Sequence, residues 1–211
     1  MRKLNETKLI QRKITTGKCL SEAEQLEIFD FDDPVHWVRK YIKNYKLVSP
    51  AVEKKMVELR DMKLLNSYWH QYGVKNETLD FLFANKDVEV LKICIKRNIL
   101  SLDFQIKLIE TRSIELLKLY QQTWYFDPAA EEKLAEIGAK EMVLLYIKFH
   151  RLSQKAELKL VERNNPTLLT SYVTKYPLRE EARKKMYELA ELKVMQAYAY
   201  NWVYPKAWNK N

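Results

Sequence analysis

The chain has 211 residues, a formal net charge of +9, 47% hydrophobic residues, three Gly, six Pro and two Cys. That length can bury a sizeable core, the scarcity of Gly argues against an all-β fold, and two cysteines cannot make a disulfide framework. No apolar run approaches the roughly 18 residues of a membrane span, and the basic opening residues lack the apolar core of a secretory signal, so a cytoplasmic setting is expected.

Residues 1–19 are a basic N-terminal arm or a capping helix built on Leu4, Leu9, Ile10 and Ile14. The capping helix is the preferred reading, because the terminal units of repeat arrays are atypical and need a cover.

From about residue 20 a degenerate motif returns every 26 residues. Its first positions are near Leu20, Val48, Val74, Leu100, Phe126, Leu152 and Leu178, and the first copy holds about one extra residue in its middle. The ninth column reads Met56, Leu82, Leu108, Leu134, Leu160, Met186. The eighteenth reads Leu65, Leu91, Leu117, Val143, Leu169, Met195, and the twenty-first Tyr68, Cys94, Tyr120, Tyr146, Tyr172, Tyr198. Apolar positions that return in register mark a structural repeat.

Within each copy the apolar residues fall at helical spacing twice, which predicts two short helices, A and B. Ser21, Ser49, Ser101, Asp127 and Ser153 stand where helix A would be capped, and Asp33, Asp61, Asp87, Ser113 and Asn165 where helix B would be. Pro34, Pro50, Pro128 and Pro166 follow four of these caps, at the first helical position, where a missing N–H costs nothing. Helices this short are marginal alone, and stacking the pairs buries their apolar faces. The predicted fold is all-α: a right-handed α-α superhelix (solenoid) of about seven short helix pairs over residues 20–204, with 205–211 as a tail. This layout resembles the α-solenoid class that includes HEAT, armadillo and tetratricopeptide arrays, in architecture alone. Their periods are longer and their signature residues are absent here. The resemblance implies a partner-binding scaffold.

The charges qualify that reading. Arg2, Lys3, Lys8, Arg12, Lys13 and Lys18 precede the array against Glu6, and Lys206 and Lys210 follow it, so the array itself is nearly balanced. Asp30, Asp32 and Asp33, with Glu27 nearby, read as an inter-helix turn rather than a cation site, lacking the Gly and distal Glu of a calcium loop. The lysines of the eighth column (Lys55, Lys107, Lys133, Lys159, Lys185) each have a glutamate three residues on, which predicts a charge-paired solvated face. His36, His70 and His150 fall at three different repeat positions, and no metal-ligand spacing, glycine-rich phosphate loop or nucleophile elbow occurs.

One column stands out as a recognition strip. The twenty-fifth position supplies Tyr72, Trp124, His150, Tyr176 and Trp202, beside Lys96, Arg97, Lys148, Arg151 and Lys175. Aromatics and Arg dominate interface energetics. The expected function is a non-enzymatic scaffold, without cofactor or metal, for a protein or peptide partner. The alternative is a nucleic-acid-binding module using the basic arm and this strip. Self-association through the aromatic C-terminal copy is a third route.

Overall fold

The computed structural model describes residues 2–47 and 49–203, of residues 2–4 the backbone only. These residues form fifteen α-helices and no strand, and none of the helices is long and apolar enough to cross a membrane. The chain divides into two compact units, Met1–Ile99 and Leu100–Asn211, at a boundary between two copies of the motif.

The first unit contains α1 (Arg2–Thr15), α2 (Glu22–Glu27), α3 (Pro34–Ile42), α4 (Pro50–Glu58), α5 (Met62–Tyr72), α6 (Asn76–Ala84) and α7 (Val88–Arg97). Helices α2, α4 and α6 pack in one row, and α1, α3, α5 and α7 in the other. The second unit contains α8 (Leu102–Glu110), α9 (Ile114–Gln121), α10 (Pro128–Ile137), α11 (Lys140–Phe149), α12 (Gln154–Glu162), α13 (Pro166–Lys175), α14 (Glu180–Leu189) and α15 (Leu192–Tyr198). Helix α15 runs on into a π-helical turn, Ala199–Val203. Here α8, α10, α12 and α14 form the A row, and α9, α11, α13 and α15 the B row. Each unit is thus an all-α stack of short helix pairs of the superhelical-repeat kind. The ninth column and, up to Leu169, the eighteenth fill the core, all of their residues fully buried.

Local chemistry sets the helix boundaries. Asp33, Asp61, Asp87, Ser113 and Asn165 each accept the backbone N–H three residues on, which caps helix B in five copies. Each such cap contributes about 1 kcal/mol. Ser21 and Ser49 cap helix A in the same way and Asp127 accepts the N–H two residues on, whereas the hydroxyls of Ser101 and Ser153 accept nothing from the helices they precede. The N-terminal segment is a helix that lays Ile10 and Ile14 against α3, while Leu9 stays half-exposed. The side chain of Leu4 lies outside the described residues. In the second copy the buried residue ahead of helix A is Leu47, one earlier than the period places it. Val48 also lies outside the described residues.

The turn between helices A and B returns at the thirteenth position. Arg60, Lys86, Arg112 and Asn164 all take positive φ there, between 47° and 57°. Gly138 occupies the same position with φ −55°. A methyl group on Gly138 would lie 2.4 Å from the Leu134 carbonyl oxygen, and the Gly138 carbonyl itself accepts the Arg163 guanidinium at 2.8 Å. Gly138→Ala should therefore lower stability by about 1–3 kcal/mol, seen as a lower denaturant midpoint with an unchanged slope. An unchanged midpoint would show that the turn relaxes freely.

Candidate interaction edge

In both units helix B ends, and the next helix A begins, along one edge. What fixes that edge is a polar column at the sixth position. Gln25, Glu53, Gln105, Glu131 and Glu157 are all buried. Glu157 accepts the Tyr172 hydroxyl at 2.8 Å and the backbone N–H of Arg179 at 2.8 Å, with the Arg179 guanidinium 3.5 Å away. Glu131 accepts the Tyr146 hydroxyl and the Ser153 N–H at 2.8 Å. Glu53 accepts the Trp69 indole at 2.6 Å and the Lys75 N–H at 3.3 Å, and the Lys75 ammonium stands 3.3 Å from its other oxygen. Gln105 accepts the Asp127 N–H at 2.8 Å. Glu53, Gln105, Glu131 and Glu157 each tie their own pair to the second residue of the next copy, the one just ahead of its helix A. Hydrogen bonds to charged groups contribute roughly 1.5–3 kcal/mol each.

The third copy is the exception, and it changes both ends of the link. Leu79 replaces the acceptor and Cys94 replaces the tyrosine, and both are buried. Burial raises the Cys94 thiol far above its ordinary value, as suits a small hydrophobe.

On this frame the twenty-fifth column leans on the twenty-first, one helical turn back. Ring centroids are 5.1 Å apart for Tyr68–Tyr72, 4.8 Å for Tyr146–His150 and 5.2 Å for Tyr172–Tyr176. Tyr72 is half-buried and donates to the Ile42 carbonyl at 3.1 Å. Trp124 is half-buried as well, and the Trp202 indole donates to the Val173 carbonyl. Burial holds the His150 imidazole below its ordinary value, against the pull of Glu131. It is therefore mostly neutral near pH 7 and belongs to the aromatic surface, not to the cationic one.

The predicted cations divide between the units. In the first, Lys96 is exposed and Arg97 donates to the Asn66 side chain at 3.1 Å. In the second, Arg151 donates to the Pro177 carbonyl at 2.7 Å, the Lys175 ammonium reaches the Lys148 carbonyl, and Lys148 stands 5.4 Å from the Phe149 ring centroid. Cations at helix C-termini are favoured by the helix dipole, so part of their role is structural. Lys148, His150, Arg151, Lys175 and Tyr176 nevertheless come together on one exposed strip of the second unit.

Two residues of that strip escape the column-by-column reading. Tyr125 is 78% exposed, edge-on to His150 at 5.5 Å, and Phe149 is 60% exposed. Their columns are not aromatic in the other copies, so only the neighbouring loops in space single them out. The charge balance is also more structured than its total. Loops 148–153 and 175–179 contain no carboxylate, nor do loops 43–47, 73–75 and 96–99. Acids gather instead at the opposite edge of the first unit, where Arg39 meets Asp61 at 3.0 Å and Arg60 meets Asp87 at 2.7 Å. The lysine column faces solvent as pairs: Lys55–Glu58 at 2.8 Å, Lys133–Glu136 at 3.2 Å, and Lys159–Glu162 and Lys185–Glu188 at 2.9 Å.

Comparison with family models, curated proteins and solved structures finds no match. What stands is an all-helical repeat architecture, with no member of the HEAT, armadillo or tetratricopeptide families to assign it to.

Proposed function

We propose that the protein is a non-enzymatic helical-repeat scaffold that binds an acidic protein or peptide segment along the edge of its second unit. One observation carries the reading: Tyr125 and Phe149 stand exposed among Lys148, Arg151 and Lys175. Exposed aromatics supply contact area, and anchored cations select a carboxylate-bearing partner. The setting that fits this reading is cytoplasmic, and no cofactor enters it.

A nucleic-acid ligand is the second reading, favoured by α1, whose Lys8 and Arg12 face solvent. It ranks lower because Arg151 and Lys175 already serve main-chain carbonyls, and a phosphate backbone needs many uncommitted cations.

Fluorescence anisotropy separates the two, with labelled Glu/Tyr-rich peptides on one arm and single- and double-stranded oligonucleotides on the other, each at two salt concentrations. The scaffold reading expects peptide affinity that drops about tenfold in Tyr125→Ala and again in Phe149→Ala. Oligonucleotide binding that collapses with salt and vanishes in Lys8→Glu/Arg12→Glu would replace it with the second reading. No binding on either arm would overturn both.

A further inference from the structure

The last helix pair leaves bare the columns that earlier pairs bury. The tenth position is buried at Val57, Phe83, Ile109, Ala135 and Val161, yet at Tyr187 it is 52% exposed. The sixth is a buried Gln, Glu or Leu in every earlier copy, yet in the last it is Arg183, which is exposed. The sixth and tenth columns of the last pair are thus the repeat's own stacking surface left open, with a cation where the carboxylate should be.

We propose that this face binds a second copy of itself, α14 antiparallel to α14 and α15 antiparallel to α15. The argument is self-complementarity, which a two-fold interface requires. Arg183 and Tyr187 lie one helical turn apart on the same side of α14. A two-fold axis passing midway between them sets each Arg183 guanidinium over the partner copy's Tyr187 ring, twice over. Arg on an aromatic face is a favourable and interface-enriched contact. Net charge does not oppose it, because residues 180–203 carry four carboxylates and four cations within a chain of +9. A head-to-tail alternative lacks an open site on the B row of the first unit, where α1 already covers α3. The proposal does not depend on the edge described above.

Sedimentation velocity of the full chain over micromolar concentrations tests it. The expected result is a monomer–dimer equilibrium whose Kd rises about tenfold or more in Arg183→Glu and in Tyr187→Ala. The double variant should be weakened by less than the product of the two, since both remove one contact. Both side chains are exposed, so unchanged helical circular dichroism and melting certify the variants as folded. A monomer at every concentration, whether residues 204–211 or some other protein covers the face, overturns the proposal. So does a dimer indifferent to both substitutions.

Discussion

Replacing Glu157 by alanine should destabilise the second unit by roughly 3–5 kcal/mol, the cost of removing one partner from a buried charged cluster. Glu157 is fully buried and accepts both the Tyr172 hydroxyl and the Arg179 N–H. Alanine leaves those two donors without their acceptor. The Arg179 guanidinium suffers less, being about one-third exposed and already donating to the Leu152 carbonyl at 2.9 Å. Glu157→Gln should cost less, about 1–2 kcal/mol: its one carbonyl oxygen still accepts the Arg179 N–H, as Gln105 accepts the Asp127 N–H in the fourth copy, while its NH2 faces the Tyr172 hydroxyl, which must then accept rather than donate. Urea unfolding of the three proteins, followed by circular dichroism, measures both differences. Equal losses for alanine and glutamine would mean that the carboxylate's charge, and not its acceptor geometry, holds the link.

Raising the pH should unfold the protein cooperatively, starting near pH 10. Burial raises the hydroxyls of Tyr41, Tyr68, Tyr120, Tyr146 and Tyr172 above their ordinary value, Tyr41 to about 12. At Tyr146 the hydrogen bond to Glu131 adds to burial, and at Tyr172 the Glu157 charge does so. A folded-state pKa above the unfolded one gives stability that is complete below the unfolded value and lost as pH climbs towards the folded one. Between about pH 10 and 12 the unfolded chain releases these protons and the folded chain keeps those of Tyr41, Tyr68, Tyr146 and Tyr172, so stability falls by about 1.4 kcal/mol per pH unit for each of these four, with Tyr120 adding in the same direction. Urea midpoints across this range, read beside tyrosinate absorbance, check it. Full tyrosinate formation with intact helical circular dichroism would refute the buried-tyrosine account.

Much of the fold was legible in the sequence, because short-range physics writes it. The Asp33, Asp61, Asp87, Ser113 and Asn165 caps depend on a side chain and a backbone N–H three residues away. The Lys55–Glu58 pairing and its repeats depend on one helical turn. The buried ninth and eighteenth columns follow from apolar residues returning at a fixed interval. The sixth column was visible as Gln25, Glu53, Gln105, Glu131 and Glu157, yet a glutamate destined for a core is spelt like one destined for solvent. For the three glutamates burial is decided by an aromatic donor of their own pair, Trp69, Tyr146 or Tyr172, and the N–H of the next. The candidate strip was half legible: Lys148, His150, Arg151, Lys175 and Tyr176 stood in their columns, whereas Tyr125 and Phe149 belong to columns that are aromatic only once.

The sequence by itself therefore determined the period, the helix boundaries, all five helix-B caps named from it but not the helix-A caps at Ser101 and Ser153, and the apolar columns, since each is fixed by contacts within about one turn of helix or by simple recurrence. Only the tertiary structure decided which carboxylates are buried, which cations are spent on helix ends, where charge of each sign gathers, and that the last pair keeps its stacking face bare. Those outcomes turn on groups some twenty or more residues apart, such as Glu157 and Arg179 or Arg151 and Pro177. No local pattern encodes the distance between them.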